Sequence, residues 1–556
     1  MLTSVVSAIV VSYVLSRSVE TIPPRPILVV SIVLGASTTF VLRRSTPERG
    51  SLGAVLGVVV TILAWLSWRA WPDLLPLGGE SDLTHHLQLV GYIEQHWRLP
   101  SDPGAFTQIG NMVNYTPGVH LLAAMAGAWT GTDGLHTIQS ILAALVALKA
   151  AVLFLIVRRI LPRDGPRALP SICSVLLLFL PYDFFIGSFM HFSFLAQVAS
   201  EAFAVAMWWA LVLWDEHPAG RAAVLFAIAG TGAFLTWPIW IGPPVLVLMI
   251  VILARKELPR ATRIRHAALA LGPIAAVAVL HTIGRIQATE IVTTGGAVFR
   301  PSVARIGWVF LVLSVAGLWL AIRDRAYRIT VLVLGAIAVQ TVGLFVAARA
   351  GGADTPYLAI KMVHLALYPL AACGALALAA MSRWAPLWPA QGSGPVVSAF
   401  RRSLRRLKPA PTKDVLLAQS VALVLMLALA ADVTRELSSI RPRPPAITED
   451  LFRAGAWART HVQPACVEYL VPQDATSYWL HFAVLGNPSV QPPGTLPPVL
   501  VFRDAVARWI TGTSLPFAIA DLRAVPRDVR EELDVLARFS NAVVARRRGA
   551  SSCPPR

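Results

Sequence analysis

Long apolar blocks set the terms for this chain. A helix of about 18 to 25 apolar residues crosses the roughly 30 Å hydrocarbon layer while satisfying its own backbone hydrogen bonds. Such stretches recur near 2–16, 26–42, 51–68, 137–157, 169–182, 195–214, 221–237, 238–254, 266–284, 303–322, 329–349, 357–381 and 413–432. Of the 556 residues, 56% are hydrophobic and 14% charged, where a soluble domain carries about a quarter charged. The pattern predicts an all-α polytopic membrane protein of about thirteen spans. The first of them, Leu2 to Leu15, lacks the basic start of a cleavable signal.

A net charge of +18 would suit nucleic acid, but the basic residues cluster at the ends of the apolar spans, where the positive-inside rule puts them. Nucleic acid is therefore excluded as a partner, and the bilayer is the expected one. The segment 117–131 is apolar but short and opens with Pro117 and Gly118. It is taken as a juxtamembrane or re-entrant helix. Alternate connections then carry Arg43 and Arg44; Arg158, Arg159, Arg163 and Arg167; Arg255, Lys256, Arg260, Arg263 and Arg265; and Arg323, Arg325 and Arg328. The Arg401 to Lys413 cluster follows on the same side. That side is expected to be the cytoplasm. The N-terminus is then cytoplasmic and the C-terminal region extracytoplasmic, in a bacterial inner (plasma) membrane.

Two domains are expected. Residues 1–433 form the membrane domain, with a large outer loop at 69–136. Residues 434–556 are polar and mixed in pattern, enough for a small α/β domain. There Glu449 to His461 and Val501 to Ile510 read as helices, while Cys466 to Val471, Phe517 to Ala520 and Ala542 to Ala545 read as strands. Cys173 and Cys373 lie inside spans as small hydrophobes. Cys466 and Cys553 would be free to form a disulfide in an oxidising compartment.

The reactive side chains gather on the predicted outer face. In the first outer loop, Asp82, His85 and His86 fall at i, i+3 and i+4, opposite a Leu83, Leu87 and Val90 stripe. This describes an amphipathic helix lying at the membrane surface. Asp82 or Ser81 could simply cap that helix, and the histidines could be ordinary interfacial residues. A divalent metal held by Asp82, His85 and His86 is a third reading, although three ligands within one turn are rarely enough. A second constellation is Asp183, His191, Gln197 and Glu201. Glu201 is a carboxylate inside an apolar helix, costly unless partnered, and Gln197 lies one turn above it. The plain alternative is an interhelical polar contact. The third is Lys361 and His364, near the outer end of a span, where a lysine either snorkels outward or meets an anion such as a lipid phosphate. Arg285 and Arg300 flank the neighbouring outer loop.

Asp82 on a juxtamembrane helix, the Tyr115 to His120 entry (Tyr-x-Pro-Gly-x-His) opening the next helix, and multiple spans leading to a C-terminal outer domain together resemble the GT-C superfamily of membrane glycosyltransferases. That group includes protein mannosyltransferases, the lipid A aminoarabinose transferase and mycobacterial arabinofuranosyltransferases. Two features depart from it: three spans precede the loop where one is usual, and the His85–His86 pair has no assigned role. The resemblance implies a polyprenyl-phosphate sugar donor used on the outer face, with a glycan, lipid or protein acceptor of the cell envelope. Phosphate is already a good leaving group, so the chemistry asks for one base and for positive charge. The expectation is Asp82 as general base, with Asp183 or Glu201 as a second acid. Lys361, His364 and Arg285 or Arg300 would hold the phosphate. His85, His86, Tyr115, His120 and Gln197 would line the substrate site. Direct displacement would invert the anomeric centre. The competing readings are a transporter or flippase of lipid-linked sugars and a non-catalytic envelope protein. A transporter should show matching pseudo-repeats with broken helices, and the sequence shows neither.

Overall fold

The computed structural model describes residues 2–19, 21–42, 49–77, 81–100, 103–162, 167–283, 298–384, 445–488, 500–549 and 553. Its membrane part runs α1 (Leu2–Ser18), α2 (Pro24–Leu42), α3 (Arg49–Ala70), α4 (Ser81–His96), α5 (Pro103–Ile109), α6 (Gly118–Thr130), α7 (Gly134–Ile160), α8 (Ala168–Leu177), α9 (Ile186–Met190) and α10 (Leu195–Glu216). It continues with α11 (Gly220–Thr236), α12 (Gly242–Ala254), α13 (Arg260–Thr282), α14 (Val303–Ile306), α15 (Trp308–Arg323), α16 (Arg328–Ala350) and α17 (Tyr357–Trp384). Helices stand at twelve of the thirteen expected spans; the one near 413–432 lies outside the described residues. Among the described residues, six helices are long and apolar enough to cross a membrane: those at α3, α7, α10, α13, α16 and α17.

Burial separates these six into two kinds. The apolar windows of α10, α17 and α7 are 94%, 83% and 67% buried, against 17% to 28% for α3, α13 and α16. The first three form the centre of the bundle. The others turn valine, leucine and isoleucine outward, as a hydrocarbon solvent permits. Gly317 lets α15 touch the Cys373 backbone of α17; a Cβ there would overlap the Cys373 carbonyl.

α6 has 13 residues, about 20 Å at 1.5 Å per residue, which is short of the hydrocarbon thickness. It ends at Gly131, whose left-handed conformation (φ 72°) closes the helix. Asp133 then caps α7 by accepting from the His136 amide at 3.0 Å. The expected span at 169–182 is shorter than its apolar length suggests. α8 stops at Leu177, and turns carry the chain through Leu178–Leu180 to Pro181. At the other expected corner, Trp237 closes α11 and the Pro238–Ile241 turn leads into α12.

One end of the bundle gathers the basic connections. Asp215, at the end of α10, receives Arg255 and Arg328, and Glu216 receives Arg159 at 2.8 Å. Three of the expected cytoplasmic connections therefore meet at a shared acidic anchor.

The C-terminal part contains α18 (Glu449–His461), β1 (Val467–Leu470), α19 (Asp474–Trp479), α20 (Phe502–Ile510), β2 (Phe517–Asp521), α21 (Arg527–Glu531), β3 (Leu533–Phe539) and β4 (Ala542–Arg547). The strands form one sheet in the order β1-β2-β4-β3, with β1 parallel to β2 and the other pairs antiparallel. Successive residues point to opposite faces. Ala518, Ala520, Val543 and Ala545 face a small core with Ala505, Trp509 and Val529. Ile519, Ala542 and Val544 join the main core with Leu451, Ala454 and Ala458. A disulfide links Cys466 to Cys553.

This part seats on α4. The π-helical turn Leu480–Val484 packs along it, with the Ala483 carbonyl against Gly91. Glu449 bonds His136 at the start of α7 at 2.9 Å, and the Ala446 amide donates to the Pro76 carbonyl at 3.1 Å.

Candidate active site

Two polar constellations form, each with a carboxylate and a lysine. The first lies where α4 crosses the end of the bundle opposite the Asp215 anchor. Asp82 sits in the first turn of α4 with its side chain 52% exposed. Its Oδ2 lies 3.7 Å from His86 Nε2, one turn along the same face. His86 is buried and its Nδ1 is bonded to His120 Nε2 at 2.9 Å, the two rings stacked. Tyr115 presents its ring edge to His86, with centroids 5.3 Å apart.

Lys361 approaches from α17. It is 1% exposed, and its ammonium lies over the Phe194 ring and 5.3 Å from the centroid of Tyr357. Among the described residues no carboxylate forms an ion pair with it. Burial works to push the Asp82 carboxyl up. The adjoining His86 overcomes this, with help from Lys361 and His85, and holds the group below the usual carboxylate range. Burial first, and then the charge on Asp82, keep the Tyr115 hydroxyl protonated far above its ordinary range. Asp82 acts electrostatically on Tyr115, Tyr357 and Lys361, so a carboxylate, two phenols and a lysine stand close together at this end of the bundle.

The second constellation is closed. Glu201 is fully buried and meets Lys149 at 2.6 Å, with both side chains 0% exposed. Tyr368 donates to the same carboxylate oxygen at 2.7 Å, and Gln197 donates to the other at 3.0 Å. A buried ion pair survives in a low-dielectric interior when further hydrogen bonds satisfy it, and this one is satisfied from α7, α10 and α17.

The remaining expected residues separate. Asp183 is held by Arg305 at 3.0 Å, so it does not join Asp82 as a second acid. Glu201 is removed from that role by its own partners. His364 is buried and bonds the Phe184 carbonyl through Nδ1 at 3.0 Å. Arg300 is exposed, and Arg285 lies outside the described residues. His85 turns away from Asp82 to Gln88 at 3.3 Å and to the edge of Tyr478. Positions 85 and 86 diverge by about 100° around a helix, and His86 is already engaged by His120. Asp82, His85 and His86 therefore do not converge on one point as a metal set would. Among the described residues no other group of three such ligands forms.

Sequence reasoning missed three residues. Lys149 carried the signal: a lone charge inside an apolar span calls for a partner of opposite sign. Tyr357 lies four residues before Lys361, on the same helix face. Phe194 gave no signal beyond being aromatic.

No family model matches the sequence, and no curated protein matches it. Solved structures do. Arabinofuranosyltransferase AftD from Mycobacteria matches with a TM-score of 0.50 at 15% identity, over 89% of this chain and 40% of that one. ArnT from Cupriavidus metallidurans, bound to undecaprenyl phosphate, matches over 92% of this chain and 100% of its own, at 15% identity and a TM-score of 0.43. The Archaeoglobus fulgidus oligosaccharyltransferase in its apo form matches over 86% of this chain and 70% of its own, at 13% identity and a TM-score of 0.49. The chain is a polytopic membrane protein with a small C-terminal sheet. Its fold is similar to that of the arabinofuranosyltransferase AftD; at this identity the likeness is one of fold alone.

Proposed function

We propose that the protein is a membrane glycosyltransferase. It moves a sugar from a polyprenyl-phosphate donor to a hydroxyl of a cell-envelope glycan, lipid or protein, on the membrane face that carries α4. The observation that carries this reading is a proximity: the half-exposed Asp82, held ionised, lies within electrostatic reach of the buried Lys361, with Tyr115 and Tyr357 beside them. Lys361 has the charge to meet the donor phosphate and to stabilise it further as negative charge grows on the leaving oxygen. Asp82 takes the proton from the acceptor hydroxyl as that oxygen attacks the anomeric carbon. The new bond forms to the acceptor oxygen, the bond to the phosphate oxygen breaks, and the lipid phosphate departs with the electron pair. Attack opposite the leaving phosphate inverts the anomeric centre. Tyr115 and Tyr357 supply hydroxyls for orienting the sugar. No step is routed through a metal, because the candidate ligands diverge.

The shared fold of AftD supports the reading at the level of architecture. We further propose residues 1–433 as the catalytic membrane domain and 434–556 as an extracytoplasmic domain, with the N-terminus cytoplasmic. The test is direct. Purified protein is given radiolabelled polyprenyl-phosphate sugar together with envelope acceptors. Label should appear in a new product with the wild type and be lost with Asp82→Asn. Full transfer by Asp82→Asn would remove Asp82 as the base.

A further inference from the structure

Asp82 and Lys361 lie within electrostatic reach of each other, yet they form no ion pair. In a low-dielectric interior opposite charges at such range are drawn together. Glu201 and Lys149 show the closed alternative, with the two groups in contact at 2.6 Å. At Lys361 an aromatic ring takes that place. Its Nζ lies 2.8 Å from the centre of the Phe194 ring, and Tyr357 offers a second ring at 5.3 Å. The face of an aromatic ring carries partial negative charge and attracts a cation. Lys361 is 1% exposed and, among the described residues, has no carboxylate or hydrogen-bond partner, so these ring faces are what offsets its burial. The backbone bends to put the Phe194 ring there. Ser193, buried between α9 and α10, has a left-handed φ of 53°, a conformation that a residue with a Cβ adopts only at a cost. It sends the two neighbouring rings to different partners. Phe192 packs on Phe299 with centroids 4.0 Å apart, while Phe194 turns in to Lys361 and to His364, whose ring is 6.1 Å away. The Phe194 amide is fixed to the Ser188 carbonyl at 3.0 Å.

We infer that Phe194 is a positioning residue: its ring face holds the Lys361 ammonium apart from Asp82, leaving the cation for the donor phosphate and the base for the acceptor hydroxyl. The inference rests on the glycosyltransferase reading. An ammonium has three N–H bonds, so one side can rest on the ring while another meets the phosphate. Without the ring face, the nearest compensation for the buried charge is the Asp82 carboxylate. A Lys361–Asp82 pair would then remove both groups at once. The cation would be drawn off the phosphate, and the base would be engaged when the acceptor arrives. Loss of the ring face therefore moves both kinetic constants, whereas loss of Lys361 alone acts on donor binding and loss of Asp82 alone acts on the chemical step.

Fluorinated phenylalanines at position 194 separate this from simple packing, because they keep the shape of the ring and drain its negative face in steps. With one, two and three fluorines the apparent KM for the polyprenyl-phosphate sugar should rise in the same order, to about tenfold with three, the scale of a lost cation–ring contact. The kcat should fall alongside it. Phe194→Leu should act in the same direction on both constants, and Phe194→Tyr should stay within about threefold of wild type. Wild-type constants in the trifluorophenylalanine protein would overturn the inference. A melting cycle reads the pairing without any turnover. Asp82→Asn and Lys361→Met, made singly and together, should shift the melting temperature nearly additively when Phe194 is present. They should depart from additivity in the Phe194→Leu protein, where the two charges meet. The same behaviour in both backgrounds would overturn the inference. If the wild type transfers no label at all, the failure belongs to the transferase reading, and the melting cycle still decides the role of Phe194.

Discussion

Two acid–lysine constellations lie in this membrane bundle, and their surroundings give them opposite characters. Around Glu201, every neighbour closes in: Lys149, Tyr368 and Gln197 occupy the carboxylate, and neither charge meets solvent. Around Asp82, the carboxylate is half open, and Lys361 rests on aromatic rings without a carboxylate partner among the described residues. An acid and a lysine thus brace each other in one place and, among the described residues, form no ion pair with each other in the other. What separates them is whether the charges have already neutralised each other.

That contrast can be broken by experiment, beginning with the largest effect. Asp82→Asn should reduce transfer by about 100- to 10,000-fold, the scale of a lost general base, with normal expression and membrane insertion. Glu201→Gln or Lys149→Met should instead act on stability. Removing one partner of a buried pair costs about 3–5 kcal/mol, visible as a lowered melting temperature in detergent. A Lys149→Met, Glu201→Leu double variant should recover much of that loss; if each single variant melts like the wild type, the brace is misread. Lys361→Ala should raise the apparent KM for the lipid donor about tenfold, for a lost interaction of about 1.4 kcal/mol, and an unchanged KM would count against phosphate binding. The pH profile should show the direction of the Asp82 shift. A lowered pKa keeps the base ionised as pH falls, so the acid limb of kcat/KM should lie below the ordinary aspartate value of 3.8. A limb near pH ~6, the range of an ordinary histidine, would assign the base elsewhere. The smallest change belongs to Asp183→Asn. An exposed ion pair contributes about 0–1 kcal/mol, so transfer and melting should stay close to wild type.

The architecture was legible because each long helix carries its own apolar block, and α6 betrayed its shortness by length alone. In the sheet, β1, β2 and β4 could be read from buried β-branched and small residues. β3 could not, because it is an edge strand whose burial alternation is interrupted by a bulge between Val535 and Ala537. In the site, Asp82 and Lys361 stood out as charges beside apolar segments. His86, Tyr115 and His120 were expected beside Asp82, but the pairings could not be read, since partners come from tertiary approach: His86 finds His120 across 34 residues and Glu201 finds Lys149 across 52. Sequence spacing placed His85 beside Asp82, but the helix turn sends it to Tyr478 instead.

The apolar stripe of α4, Leu83, Leu87 and Val90, is wholly buried in the main core, where α4 packs on α6 and α7. A roll by one residue, about 100°, would turn the carboxylate of residue 82 away from Lys361 and drag that stripe out of its packing. The C-terminal sheet and its π-helical turn act as a chock against that roll, with the Ala483 carbonyl set against Gly91 and Glu449 tied to the head of α7. The polar part of the chain thereby shares with the membrane bundle the work of holding that helix in register.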